Sequence, residues 1–207
     1  MKTSTPIKAI IWDMGGVLLR TENLQPRLNL AKKLGVTYSM LNELVFSSPT
    51  SLQAEAGQIP RSAHWQTVAQ TLNLHDSEIE DFFLEWFSGD HCDYALVGYI
   101  KQLRLKFKTA LLSNVWGEMR EVVERNYEFL DAFDQTIFSY EVKLVKPDPR
   151  IYLLMIERLG VLAGEAVFID DFEKNILGAQ SVGINSILFQ NSQQVRADLQ
   201  KELELFV

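Results

Sequence analysis

Four polar points in this 207-residue chain stand at or near the ends of apolar runs. Asp13 closes Ala9-Ile10-Ile11-Trp12 and is followed by Met14, Gly15 and Gly16. Ser113 and Asn114 close the run Thr109 to Leu112. Asp170 and Asp171 close "VFI", and Lys146 lies in "KLVKPDPRIY", just before a helix that starts at Pro149. One such acid is most simply a helix cap, but four groups gathered on one edge suit phosphoryl transfer. An aspartate can accept a phosphoryl group as an acyl phosphate. Carboxylate and carbonyl oxygens are the ligands of hard cations such as Mg²⁺. A lysine and a hydroxyl can hold the remaining phosphate oxygens. Glycines after the nucleophile let backbone N–H groups come close to an anion.

The elements that must position these residues are short buried strands alternating with helices. "AIIW", "TALL", "QTIFS", "AVFID" and "NSILF" read as strands. Helices are expected over Tyr94 to Phe107, in "GEMREVVERNYEFL", from Pro149 to Leu159, in "KNILGAQSVG" and from Ser192 onward. This alternation predicts an α/β fold, a doubly wound parallel sheet covered on both faces. In such sheets ligands bind beyond the carboxyl ends of the strands. Leu24 to Phe87 is helical in pattern, with Gly35 ending one helix and Asp76 expected to cap another. The stretch 21–90 therefore reads as an α-helical cap inserted into a core made of 1–20 and 91–207.

Composition narrows the partners. A net charge of −7 without a basic tract argues against nucleic acid and anionic membranes. There is no apolar run of about 18 residues for a membrane span, and no apolar signal segment precedes Asp13. A single cysteine, Cys92, excludes an internal disulfide and fits a reducing, cytoplasmic setting. No G-x-G-x-x-G follows Gly15-Gly16, so a dinucleotide loop is not expected. His64, His75 and His91 lack metal-ligand spacing and read as structural or surface residues. Cys92 reads as a small buried hydrophobe, and Trp65, Phe82, Phe83, Trp86 and Phe87 as packing within the cap. Trp116 is open between core packing and the rim where cap and core meet.

Taken in order, "WDMGGVL", "LLSN", "KPDPRIY" and "FIDDFEKNI" resemble the four motifs of the haloacid dehalogenase-like hydrolase superfamily. "AGQIPRSAHW" is also similar to a stretch found in the helical caps of that group. The resemblance implies that Asp13 is nucleophile and metal ligand, that Ser113 and Lys146 bind phosphate, and that Asp171 completes the metal site. Asp170 would assist through a metal-bound water, and the amide of Asn114 and the backbone at Gly16 would face the phosphate. Asn175 would fix the loop by hydrogen bonding. The implied cofactor is Mg²⁺ and the implied partner a small phosphorylated metabolite, with sugar phosphates among the candidates. The departure is Gly15. Phosphatases of the family usually carry a second aspartate there, whose carbonyl binds the metal and whose carboxyl moves protons. Glycine keeps the carbonyl and loses the acid, a loss typically worth ~10²–10⁴-fold in rate. Some sugar-phosphate phosphatases of the family look similar at this position. The namesake dehalogenases also lack the second aspartate, but their fourth motif is less like "FIDDFEKNI". A Mg²⁺-dependent phosphatase is the expected function. The alternatives are a metal-independent 2-haloacid dehalogenase and a non-catalytic phosphate- or partner-binding member.

Overall fold

The computed structural model describes residues 6–204. The elements run β1 (Ala9–Trp12), β2 (Leu19–Thr21), α1 (Gln25–Leu34), α2 (Tyr38–Phe46), α3 (Pro49–Glu55), α4 (Arg61–Leu72), α5 (Ile79–Phe87) and β3 (Asp90–Cys92). They continue with α6 (Tyr94–Leu103), β4 (Lys108–Ser113), α7 (Met119–Asn126), β5 (Gln135–Phe138), α8 (Ser139–Val142), α9 (Pro149–Leu159), β6 (Ala166–Asp170), α10 (Glu173–Ser181), β7 (Asn185–Leu188) and α11 (Ser192–Glu204).

Five strands form one parallel sheet in the order β5-β4-β1-β6-β7. Because side chains alternate across a strand, the same few residues supply two cores. Ile10, Trp12, Leu111, Val167 and Ile169 face one layer, while Ala9, Ile11, Ala110, Leu112 and Phe168 face the other. Both sets are completely buried, which is why these strands read as unbroken apolar runs. The chain order leaves β1 central, with Trp12 paired to Leu111 on one side and Ile169 on the other. The residues one step beyond those pairs therefore emerge together.

Between the two short strands of an antiparallel ribbon, β2 with β3, the chain makes helices α1–α5. They enclose a third cluster, which contains Leu30, Leu41, Val45, Trp65, Val68, Phe82 and Trp86 and also takes in Trp116 from the loop after β4. The ribbon is tied by Thr21 Oγ1 to Asp90 (2.7 Å) and by Arg20 to Asp93 (2.8 Å). Arg27 reaches down from α1 to both oxygens of Asp90 at 2.9 Å.

Several local expectations need correction. The helix expected through "GEMREVVERNYEFL" stops at Asn126, because Glu128 takes a left-handed φ of 48° and turns Phe129 into the core. The helix from Tyr94 ends at Leu103, where Arg104 leaves to pair with Asp134 (2.8 Å). Asp76 caps no helix. His75 instead accepts from the N–H of Ser77 at the start of a 3-10 turn, and α5 begins only at Ile79. The ribbon and the seven-residue α3 were not foreseen at all. Cys92 is half-buried rather than fully buried, and burial pushes its thiol up to about 11.

Candidate active site

Asp13 continues β1 by one residue, its N–H donating to the Ile169 carbonyl at 2.9 Å. That bond keeps the backbone in the sheet while the side chain leaves it. Lys146 arrives from the loop before α9, whose start is set by Asp148 as N-cap and Pro149 in the first turn. Its Nζ lies 2.7 Å from Asp13 Oδ1 and 2.6 Å from Asp170 Oδ2. All three residues are buried, Asp170 completely. Burial alone would lower the Lys146 ammonium, but the two carboxylates outweigh it and hold its affinity for protons above the usual lysine range.

Asp170 is heavily engaged. Oδ1 accepts from the N–H of Phe172 (2.8 Å), and Asn175 Nδ2 donates to both oxygens at 3.0 Å. Asp170 thus supports the start of α10 as well as the lysine, and Asn175 fixes this loop. Asp171 differs. Its Oδ1 is buried with no hydrogen-bond partner among the described residues. Burial and then the neighbouring Asp170 push its carboxyl up to about 6. One carboxylate oxygen from each of Asp13, Asp170 and Asp171 lies within 4.8 Å of the others. Asp13 is pushed up to about 7, first by burial, with Lys146 opposing and the two other acids adding.

These residues fit a hard divalent cation. Every offered ligand is an oxygen, and three acids share one lysine, so the cluster lacks positive charge. The orphaned Asp171 oxygen is a ligand atom that no donor among the described residues engages. Gly16 is shaped around the same carboxylate: it holds φ +77°, and a Cβ there would overlap Asp171 Oδ2. Gly15 has no positive φ, is exposed, and faces open space where its Cβ would be.

Ser113, the last residue of β4, is 1% exposed. Asn114 answers differently from expectation. Its side-chain amide brackets the Lys146 backbone, donating to the carbonyl (3.0 Å) and accepting from the N–H (2.8 Å). That side chain serves the lysine loop, which leaves only the Asn114 backbone amide to meet an anion. Trp116 belongs to the rim. It is 4% exposed, stacks on Phe46 at 5.8 Å and donates from Nε1 to Ser51 Oγ (3.0 Å) in α3. His64 is structural, both ring nitrogens being engaged by Thr50 Oγ1 and the Val45 carbonyl at 3.0 Å. Sequence reasoning missed Glu55, the last residue of α3, which is half-buried and feels Lys174 and Lys146. The only local signal was its place directly before "AGQIPRSAHW".

A family model described as haloacid dehalogenase-like hydrolase matches residues 7–183. The chain is 28% identical over 196 residues to the phosphorylated carbohydrates phosphatase of Thermotoga maritima, covering 87% of this chain and 84% of that protein. It is 38% identical over 192 residues to (S)-2-haloacid dehalogenase 1 of a Pseudomonas species, covering 88% and 84%. Among solved structures, a Bacteroides thetaiotaomicron enzyme of the same family, in complex with magnesium and inorganic phosphate, superposes with a TM-score of 0.74 at 26% identity. That match covers 91% of this chain and 98% of that one.

Proposed function

Because the chain belongs to the haloacid dehalogenase-like hydrolases, we propose that it is a Mg²⁺-dependent phosphatase of small phosphorylated metabolites, working through a phosphorylated Asp13. The observation that carries this reading is the convergence of three carboxylates in which one buried oxygen of Asp171 has no partner. A nucleophilic displacement by Asp13 alone would leave that oxygen unexplained.

Asp13, Asp171 and the Gly15 carbonyl would hold Mg²⁺, with Asp170 more remote because its oxygens are occupied by Lys146, Phe172 and Asn175. When bound, the cation supplies charge neutralisation for the acids and for the phosphoryl oxygens. Asp13 attacks phosphorus with one carboxylate oxygen, and the bond to the leaving oxygen breaks. Ser113 Oγ and the backbone amides at Asn114 and Gly16 donate to the equatorial oxygens, while Lys146 keeps Asp13 oriented and offsets its charge. Water then opens the acyl phosphate and returns Asp13 as a carboxylate.

The Pseudomonas relative favours a second reading, in which Asp13 displaces halide from a 2-haloacid without metal. A screen of sugar phosphates, acyl phosphates, nucleotides and 2-haloacids separates the two. The proposal requires phosphate release that needs Mg²⁺ and stops with EDTA; halide release indifferent to EDTA would replace it with the second reading.

A further inference from the structure

Phosphoryl transfer to Asp13 leaves one task without a residue. The leaving oxygen must gain a proton and the attacking water must lose one, and Gly15 has no side chain to do either. We propose that Glu55, brought from the inserted helices to the mouth of the strand-end cleft, is the proton-transfer group for both half-reactions. The inference rests on the phosphatase reading above.

Glu55 is the terminal residue of α3, and its placement is fixed from both sides. Its carbonyl accepts from Ser139 Oγ at 2.7 Å. The same hydroxyl accepts from the N–H of Val115 at 3.0 Å, one residue beyond Asn114. Four residues back, Ser51 takes the Trp116 indole bond. Two residues on, Gly57 holds φ +62° with its Cα against the Tyr140 carbonyl, where no Cβ fits. The end of α3 is thus clamped to the loop that follows β4 and to helix α8, which follows β5.

The side chain is the opposite of clamped. Among the described residues the Glu55 carboxylate makes no hydrogen bond and no ion pair. The charges that act on it are Lys146, at the bottom of the site, and Lys174, on the first turn of α10. Its backbone stands one hydroxyl away from Val115 in the loop that carries Asn114, and its carboxylate lies within electrostatic reach of Lys174 and Lys146. Burial, against the pull of Lys174 and then Lys146, pushes its carboxyl up to about 7. A group poised near neutrality is populated both as donor and as acceptor.

The steps balance. As Asp13 Oδ forms its bond to phosphorus and the ester P–O bond breaks, protonated Glu55 gives its proton to the leaving oxygen, which departs as an alcohol. The resulting Glu55 carboxylate then takes a proton from the water that attacks phosphorus. The P–O bond to Asp13 breaks, phosphate leaves, and Glu55 is again protonated.

Glu55→Gln tests this with an alkyl phosphate turned over by the wild type and with p-nitrophenyl phosphate. Alkyl turnover should fall by about 10²-fold or more. With the aryl ester, whose leaving group needs no proton, the variant should release one equivalent of nitrophenolate in a burst and then stall at dephosphorylation. Mg²⁺ affinity and melting temperature should stay near wild type. Wild-type rates on both esters would overturn the inference, as would equal losses on both without a burst. Should Glu55→Gln fold poorly, Glu55→Asp, which withdraws the carboxyl by one methylene, must show the same pattern, a loss on the alkyl ester and a burst followed by a stall on the aryl ester. A wild type that releases no phosphate from any substrate would instead overturn the phosphatase reading on which the inference stands.

Discussion

Two sets of buried polar side chains in this molecule are treated in opposite ways. In the inserted helices, Arg27 lies under Trp86 with its guanidinium on the Trp86 carbonyl and on both oxygens of Asp90. His64 has both ring nitrogens engaged, and Ser51 receives the Trp116 N–H. Apart from the indole N–H groups of Trp65 and Trp86, that region meets its polar needs internally. At the strand ends, Asp171 Oδ1 and Asn175 Oδ1 have no partner among the described residues, and three acids face one lysine. A buried polar group left unsatisfied costs about 1–3 kcal/mol. The insertion leaves only neutral indole donors without partners, whereas the strand ends leave a carboxylate oxygen beside two further acids. The difference marks where a ligand belongs, since only a ligand would repay the exposed deficit.

The sharpest way to break this contrast is to remove the attacking group. Asp13→Asn should retain the fold, because the amide is nearly isosteric, yet lose phosphate release to background, since an amide is neither an anionic nucleophile nor an equal metal ligand. Steady-state assays on preparations free of contaminating phosphatase check it, and retention of more than a few per cent of turnover would contradict the assignment.

The next effect separates the paired acids. Asp170→Ala removes one partner of a fully buried ion pair and three hydrogen bonds from Asn175 and Phe172. Breaking such a pair costs about 3–5 kcal/mol, to be read by denaturant unfolding without Mg²⁺. Asp171→Ala deletes an unpartnered carboxylate and should leave that stability unchanged or raise it. In Mg²⁺ titrations the order reverses, with Asp171→Ala raising the metal requirement more. Equal behaviour in both measurements would mean that the two acids are not divided as the geometry divides them.

A smaller change is expected from Gly15→Asp. With no positive φ and nothing within 4 Å of the added Cβ, the new carboxyl enters without strain. In the Glu55→Gln background it should raise kcat/KM for alkyl phosphates more than for aryl phosphates, with metal affinity checked in parallel. The mildest effect lies in the insertion. Burial lowers the proton affinity of His64, although the Val45 carbonyl opposes this. The unfolded chain therefore binds the proton more readily. The contribution is complete above the unfolded histidine pKa of about 6.5 and is lost as pH falls below it toward the folded value. Melting temperatures taken down through that window should fall more steeply in the wild type than in His64→Gln.

Much of the strand-end chemistry was legible because each polar residue terminates an apolar run or precedes a proline. Asp13, Ser113, Asp170 and Asp171 all stand where buried strands end, and Lys146 stands before the Asp148–Pro149 helix start. What was illegible is tertiary. Which glycine needs left-handed backbone depends on the Asp171 carboxylate packed on Gly16, far along the chain. The Asn114 amide is captured by a loop that local sequence does not place beside it. Glu55 sits on a seven-residue helix too short for periodicity to reveal, and its importance arises from Ser139 and Lys146 across the cleft. The ribbon of β2 and β3 has three residues per strand, too few for an alternating pattern.

Phosphoryl transfer to Asp13 within this carboxylate cluster is tested by trapping the intermediate. The wild type is mixed with Mg²⁺ and p-nitrophenyl phosphate, quenched in acid, reduced with borohydride and mapped by mass spectrometry. Asp13 alone should be converted to homoserine, and only when Mg²⁺ is present. Phosphate release with Asp13 unmodified, or a label on another residue, would contradict it.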